Sequence, residues 1–86
     1  MVSAPLEFPC DYPIKVVGRP DDGFRARVHA IVLRHAPRLD GARVSERLSA
    51  AGAFISITYR LPAESRAQVE ALVAELKGCD GVLLLL

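Results

Sequence analysis

Two histidines, two cysteines and one glycine-bounded acidic turn are the parts of this 86-residue chain whose residue types could do chemistry. His29 and His35 stand six positions apart, about 240° around a helix, so they cannot close on one metal ion. Cys10 and Cys79 precede the first and the last of the strands predicted below. Those strands run antiparallel, which puts the thiols at opposite ends of a sheet and leaves neither a CxxC metal loop nor a disulfide. No Ser-His-Asp or Cys-His spacing rises above chance. The expectation is a non-enzyme with no catalytic residue, no metal and no cofactor.

The turn Gly18-Arg19-Pro20-Asp21-Asp22-Gly23-Phe24 is the remaining chemical candidate. It leads into a predicted helix, whose free N–H groups and positive dipole end attract anions. Gly18, Arg19, Asp22, Gly23 and Phe24 are therefore the candidate ligand-binding residues. Against that stands the acidity of the turn itself. Asp22 or Asp21 is a natural N-cap, and the two carboxylates repel a second anion, so the turn reads first as a plain capped helix start and only second as a ligand site.

The elements that position these residues follow from periodicity. Residues 1–11 read as an irregular arm, pinned by Leu6 and Phe8, and residues 12–86 as one domain. Tyr12 to Val17 alternates, with Tyr12, Ile14 and Val16 on one face and Pro13 tolerated at the strand's beginning. From Phe24 a helical stripe runs through Val28, Ile31, Val32 and His35, and Pro37 ends it. Ala42 to Leu48 is a second, more charged strand. Phe54 to Leu61 is the clearest strand, with Ile55, Ile57, Tyr59 and Leu61 on one face, and Pro62-Ala63-Glu64 breaks it. Ser65-x-x-Gln68 is a capping box for a helix carrying Val69, Leu72, Val73 and Leu76, closed by Lys77-Gly78. Val82 to Leu86 is the last strand, apolar on both faces. The order β-α-β-β-α-β with right-handed crossovers predicts a ferredoxin-like α+β sandwich, sheet order 4-1-3-2, with both helices on one face.

The bulk numbers bound the function. A chain of this length is one domain, and its 51% hydrophobic content supplies a core without a staple. A net charge of +1 with the signs interleaved speaks against nucleic-acid or membrane-surface partners. The start has no basic n-region or apolar h-region, and no stretch has the length of a membrane span. A reduced, cytoplasmic protein is expected.

Several runs together resemble the YbeD-like family of small bacterial proteins of uncharacterised function. They are Phe8-Pro9, Tyr12-x-x-Lys15-Val16-x-Gly18, His35-Ala36-Pro37, Ser49-x-x-Gly52-x-Phe54-x-Ser56-x-Thr58 and the terminal Leu86. The resemblance implies a fold similar to the ACT regulatory domains, usually non-catalytic, and an association of some members with lipoate-attachment genes. It makes the Gly18–Phe24 turn similar to the ACT turn that holds an amino-acid carboxylate, so a metabolite sensor is the alternative function. The same turn looks like the phosphate cradle of acylphosphatases. That cradle is one residue longer and works with an asparagine, and this chain has none. Gly52-Ala53-Phe54-Ile55-x-Ile57 is similar to the aromatic strand of RNA-recognition modules, but only Phe54 is placed to stack a base. RNA binding is the distant alternative.

Partner surfaces carry the leading expectation. Strands two and four are the edges of the predicted sheet. Arg43, Glu46 and Arg47 blunt the first, whereas Val82 to Leu86 leaves the second uncharged. The helix-free face is expected to present Lys15, Val17, Phe54, Ser56, Thr58, Arg60, Leu83 and Leu85. The protein is therefore read as a binding or regulatory module working through contact with a protein partner or a second copy of itself, as a homodimer. Its plain alternative is scattered surface apolar residues of no consequence.

Overall fold

The computed structural model describes residues 7–86. Leu6, expected to help pin the arm, lies outside them, and Phe8 is half-buried. The elements are β1 (Cys10–Gly18), α1 (Phe24–His35), a 3-10 turn (Gly41–Arg43), β2 (Val44–Leu48), β3 (Ile55–Ala63), α2 (Arg66–Lys77) and β4 (Val82–Leu85). They build an antiparallel sheet in the order β2-β3-β1-β4 with the two helices on one side. This is the ferredoxin-like α+β arrangement that the periodicities predict.

Alternation decides which side the helices take. Ile14 and Val16 on β1 and Ile55, Ile57, Tyr59 and Leu61 on β3 are buried, and they meet Phe24, Val28, Ile31 and Val32 of α1 and Leu72 and Leu76 of α2. Each such side chain contributes about 1.5–3 kcal/mol by leaving water, so this seam holds the domain together. Neither helix has a second apolar stripe, and the opposite face of the sheet stays uncovered by any described element.

Three boundaries differ by two residues from the sequence-based expectation, each for a local reason. β1 begins at Cys10 because Cys10 and Asp11 pair with Ala63 and Pro62. β3 accordingly runs through Pro62 instead of breaking there. Lys15 spends both backbone groups on Leu86, so its even-numbered neighbours on β1 bond β3. Pro62 then faces the β2 side, beyond the place where β2 starts opposite Tyr59, and its missing N–H has no neighbour to serve. Pro13 likewise faces beyond the end of β4. Finally, Gly41–Arg43 is a 3-10 turn, which the Asp40 side chain caps by accepting from the Ala42 N–H.

The helix ends divide. Ser65 Oγ accepts from the Gln68 N–H at 3.1 Å as a capping box requires, while the Gln68 side chain reaches one residue further back, to the Glu64 N–H. At α1 the expected Asp cap is absent: the N-cap is Gly23, with φ 89° and no side-chain hydrogen bond. That left-handed turn lets Phe24 swing under β1. A Cβ on Gly18 would stand 2.2 Å from Phe24 Cζ and 2.6 Å from the Gly81 carbonyl oxygen.

Gly18→Ala is therefore expected to cost about 1–3 kcal/mol in a urea titration, the range of overpacked cores. Gly41→Ala, whose Cβ meets nothing within 4 Å, should stay within about 0.5 kcal/mol of wild type.

Candidate functional site

The Gly18–Phe24 turn is organised around its own side chains. Phe24 is 1% exposed, and its ring occupies the space beside Gly18. Arg27, one turn into α1, donates to Asp21 Oδ1 at 3.3 Å and to the Asp80 carbonyl at 3.2 Å, tying the turn to the loop before β4. The Arg19 N–H reaches the Gly81 carbonyl across the same junction. Arg19, Asp22 and Gly23 are exposed. A groove of about 340 Å³ beside them is lined by Asp21, Asp22, Arg25, Phe24 and Ile55. The five predicted ligand residues are thus neighbours in space, but an aromatic ring fills the approach at Gly18 and two aspartates line the groove. An amino-acid carboxylate would find no room at that glycine, and the one arginine on the groove wall is already paired with Glu46.

The two histidines take separate partners. His29 Nδ1 lies 2.5 Å from the Tyr59 hydroxyl, joining α1 to β3, and the rings meet edge to face. Burial, then the nearby Glu46 carboxylate, pushes the Tyr59 phenol well above its ordinary range and keeps it protonated. The Arg25–Glu46 ion pair at 2.6 Å ties α1 to β2 beside it. A half-open groove of about 420 Å³ lies here, with Leu33, Leu39 and Val44 as its apolar wall. His35, at the end of the core-facing stripe, meets Glu75 Oε1 of α2 at 2.7 Å, and Arg34 reaches the other oxygen of that carboxylate. The His35 carbonyl accepts from the Gln68 side chain. These pairings span 21 to 41 residues, so no local spacing announces them. Cys10 and Cys79 are half-buried free thiols at opposite ends of β1 and β4. Among the described residues, no three His, Cys, Asp or Glu side chains gather as metal ligands.

The helix-free face is the third candidate. Register places Lys15 opposite Thr58, Val17 opposite Ser56, and Pro13 opposite Arg60. On the far side Ser45 and Arg47 of β2 stand opposite Thr58 and Ser56. Phe54, at the base of the β2–β3 hairpin, is 45% exposed. β4 corrects the expectation. A bulge between Val17 and Gly18 shifts its register, so Leu85 pairs with the buried Val16 and faces the helices, while Leu84 pairs with Val17. Leu86 exchanges backbone bonds with Lys15. The exposed leucines of this face are therefore Leu84 and Leu86, Leu85 is not among them, and Leu83 projects at the bulge, half exposed. Because leucine fills the four successive positions 83–86, no alternation could have revealed this.

Comparison with known proteins follows the fold. A family model described as a protein of unknown function, DUF493, matches residues 3–86. A UPF0250 protein of Nitrosomonas europaea is 38% identical over 81 residues, covering 94% of this chain and 93% of its own. One from Shewanella sp. strain ANA-3 is 40% identical over 77 residues, 90% of this chain and 85% of its own. A third, from Ectopseudomonas mendocina, is 38% identical over 82 residues, 94% and 89% of the two chains. None of these names carries a catalytic activity. No helix among the described residues is long and apolar enough to cross a membrane.

The cross-helix cluster makes a pH prediction. The His35 hydrogen bond, then that of Arg34, holds the Glu75 carboxyl below the ordinary carboxylate range. A depressed pKa stabilises the fold above the unfolded value and loses that contribution as pH falls through the folded one. Glu75→Gln should unfold at lower urea than wild type at pH 7. The difference should begin to shrink as pH drops below about 4.5, the ordinary carboxyl value at which the unfolded chain protonates, and vanish once pH has fallen through the lower folded value.

Proposed function

The chain belongs to the DUF493 family, to which its YbeD-like runs also point, and we propose that it is a non-catalytic binding or regulatory module whose contact surface is the helix-free face of its sheet. The observation that carries this is the exposure of Phe54 at 45%, Leu84 at 50% and Leu86 at 69% on that one face. Leu84 and Leu86 lie in register with Val17 and Lys15 and make one apolar column along β4. Scattered apolar side chains need no explanation, whereas a contiguous column on an uncovered sheet is what a partner would bury.

The outer edge of β4 supports the same reading. Leu84 and Leu86 turn their backbone groups toward β1, which leaves those of Leu85 pointing outward from an uncharged strand. On this reading the edge takes another strand, either from the partner or from a second copy of the chain. β2 is less suited, because Glu46 and Arg47 flank its outer side.

The test is cross-linking of the tagged protein in its native cell, followed by identification of what co-purifies. Leu84→Asp and Phe54→Asp, each checked for unchanged circular dichroism, should lose the proteins that wild type retains, while Glu70→Arg on exposed α2 should keep them. Retention by both face variants, or loss only with the α2 variant, would overturn the reading.

A further inference from the structure

We propose that the occupant of the open face is an acidic, amphipathic segment of a different protein, an inference that rests on the contact reading above. The strands place four cationic side chains on that face: Lys15 on β1, Arg47 on β2, Arg60 on β3, and Arg43 at the head of β2. Against them stands the carboxylate of Asp11, which Arg43 reaches at 2.7 Å. Lys15, Arg47 and Arg60 have no carboxylate partner among the described residues. The chain as a whole is only +1, so this surplus is local to one surface.

Acidic partners on the helix side explain the segregation. Glu46 alternates with Arg47 on β2 and faces Arg25 of α1, while Glu75 is held by His35 and Arg34 between the helices. The β2 and β3 cations therefore remain uncompensated, beside the hydroxyls of Ser45, Ser56 and Thr58. The apolar column of Val17, Leu84 and Leu86 runs along the opposite half of the same face. A matching surface has an apolar stripe flanked on one side by carboxylates.

Charge also separates this occupant from two others. A second copy laid face to face with like strands superposed would set unpaired cations against the same cations, and like charges opposed across an interface are repelled. Single-stranded nucleic acid would meet the positive charge but find only Phe54 to stack on, with leucines where base platforms would stand.

The test is an NMR titration of the whole chain with three probes. One is a designed 18-residue amphipathic peptide with leucine on one stripe and glutamate beside it. The second has lysine in place of every glutamate, and the third is a ten-nucleotide oligouridine. Shifts at Lys15, Val17, Arg47, Arg60 and Leu84 with the glutamate peptide are expected, with affinity at least roughly tenfold above that for the lysine peptide. Affinity should also fall as salt rises. Arg47→Glu/Arg60→Glu should reverse that preference, while Arg66→Glu/Lys77→Glu, equal in net charge but off this face, should preserve it. Equal binding of the two peptides, no shifts with either, tighter binding of oligouridine, or dimerisation through this face in sedimentation would each overturn the inference. If the peptides fail while Leu84→Asp still loses co-purifying proteins, the acidic chemistry falls and the contact surface stands.

Discussion

The contact between the Phe24 ring and the bare Cα of Gly18 is the constraint on which the rest of this structure hangs. It requires glycine at the end of β1, because a Cβ there would overlap the ring. It seats the first turn of α1 under the sheet, and Gly23 supplies the left-handed backbone that aims Phe24 inward. It also brings the Gly81 carbonyl against the same point, so the loop into β4 must pass close by. Arg27 holds both loops from the helix side. At that position β4 departs from regular register with β1, and the departure decides which leucines face the helices. One close approach thus bears on a helix start, an edge strand and the choice of leucines that the open face presents.

The sequence was most legible where burial differs between faces. Alternation on β1 and β3 and the 3.6-residue stripes on both helices predict the core, because moving any of those residues by one position would expose it. Legibility failed where neighbours are chemically alike or where the partner is remote. Leu83, Leu84, Leu85 and Leu86 offer no contrast from which a register can be read. Asp21 has the chemistry of a cap, yet it takes Arg27, an option that depends on where Arg27 lies after folding. Pro62 looks like a breaker until the start of β2 is known. The pairs His29–Tyr59 and His35–Glu75 join distant elements, and periodicity carries no information about them.

Charge shows the same division between bulk and surface. A near-neutral chain with interleaved signs reads as having no field. Alternation in a strand nevertheless sorts neighbouring residues onto opposite faces, so Glu46 and Arg47 do not cancel. The acid turns to Arg25 and the base turns to the helix-free side. Interleaving in sequence is what produces separation in space when the element is a strand, whereas on a helix surface the same residues would mix.

That separation bears on why the open face and the β4 edge are different kinds of surface. An apolar face covered by a second copy would be the simplest assembly, but the cations beside it make self-association through this face unfavourable unless the copies are offset. The edge carries no such penalty, since backbone groups pair without regard to side-chain charge. A partner can therefore use the edge for affinity and the face for discrimination. Leu84 and Leu86 belong to both, with their backbones bonded to β1 and their side chains on the charged face. A strand added at β4 would extend the apolar column, not the cationic one. Its own side chains would then decide how much of the Lys15 to Arg60 surface remains free.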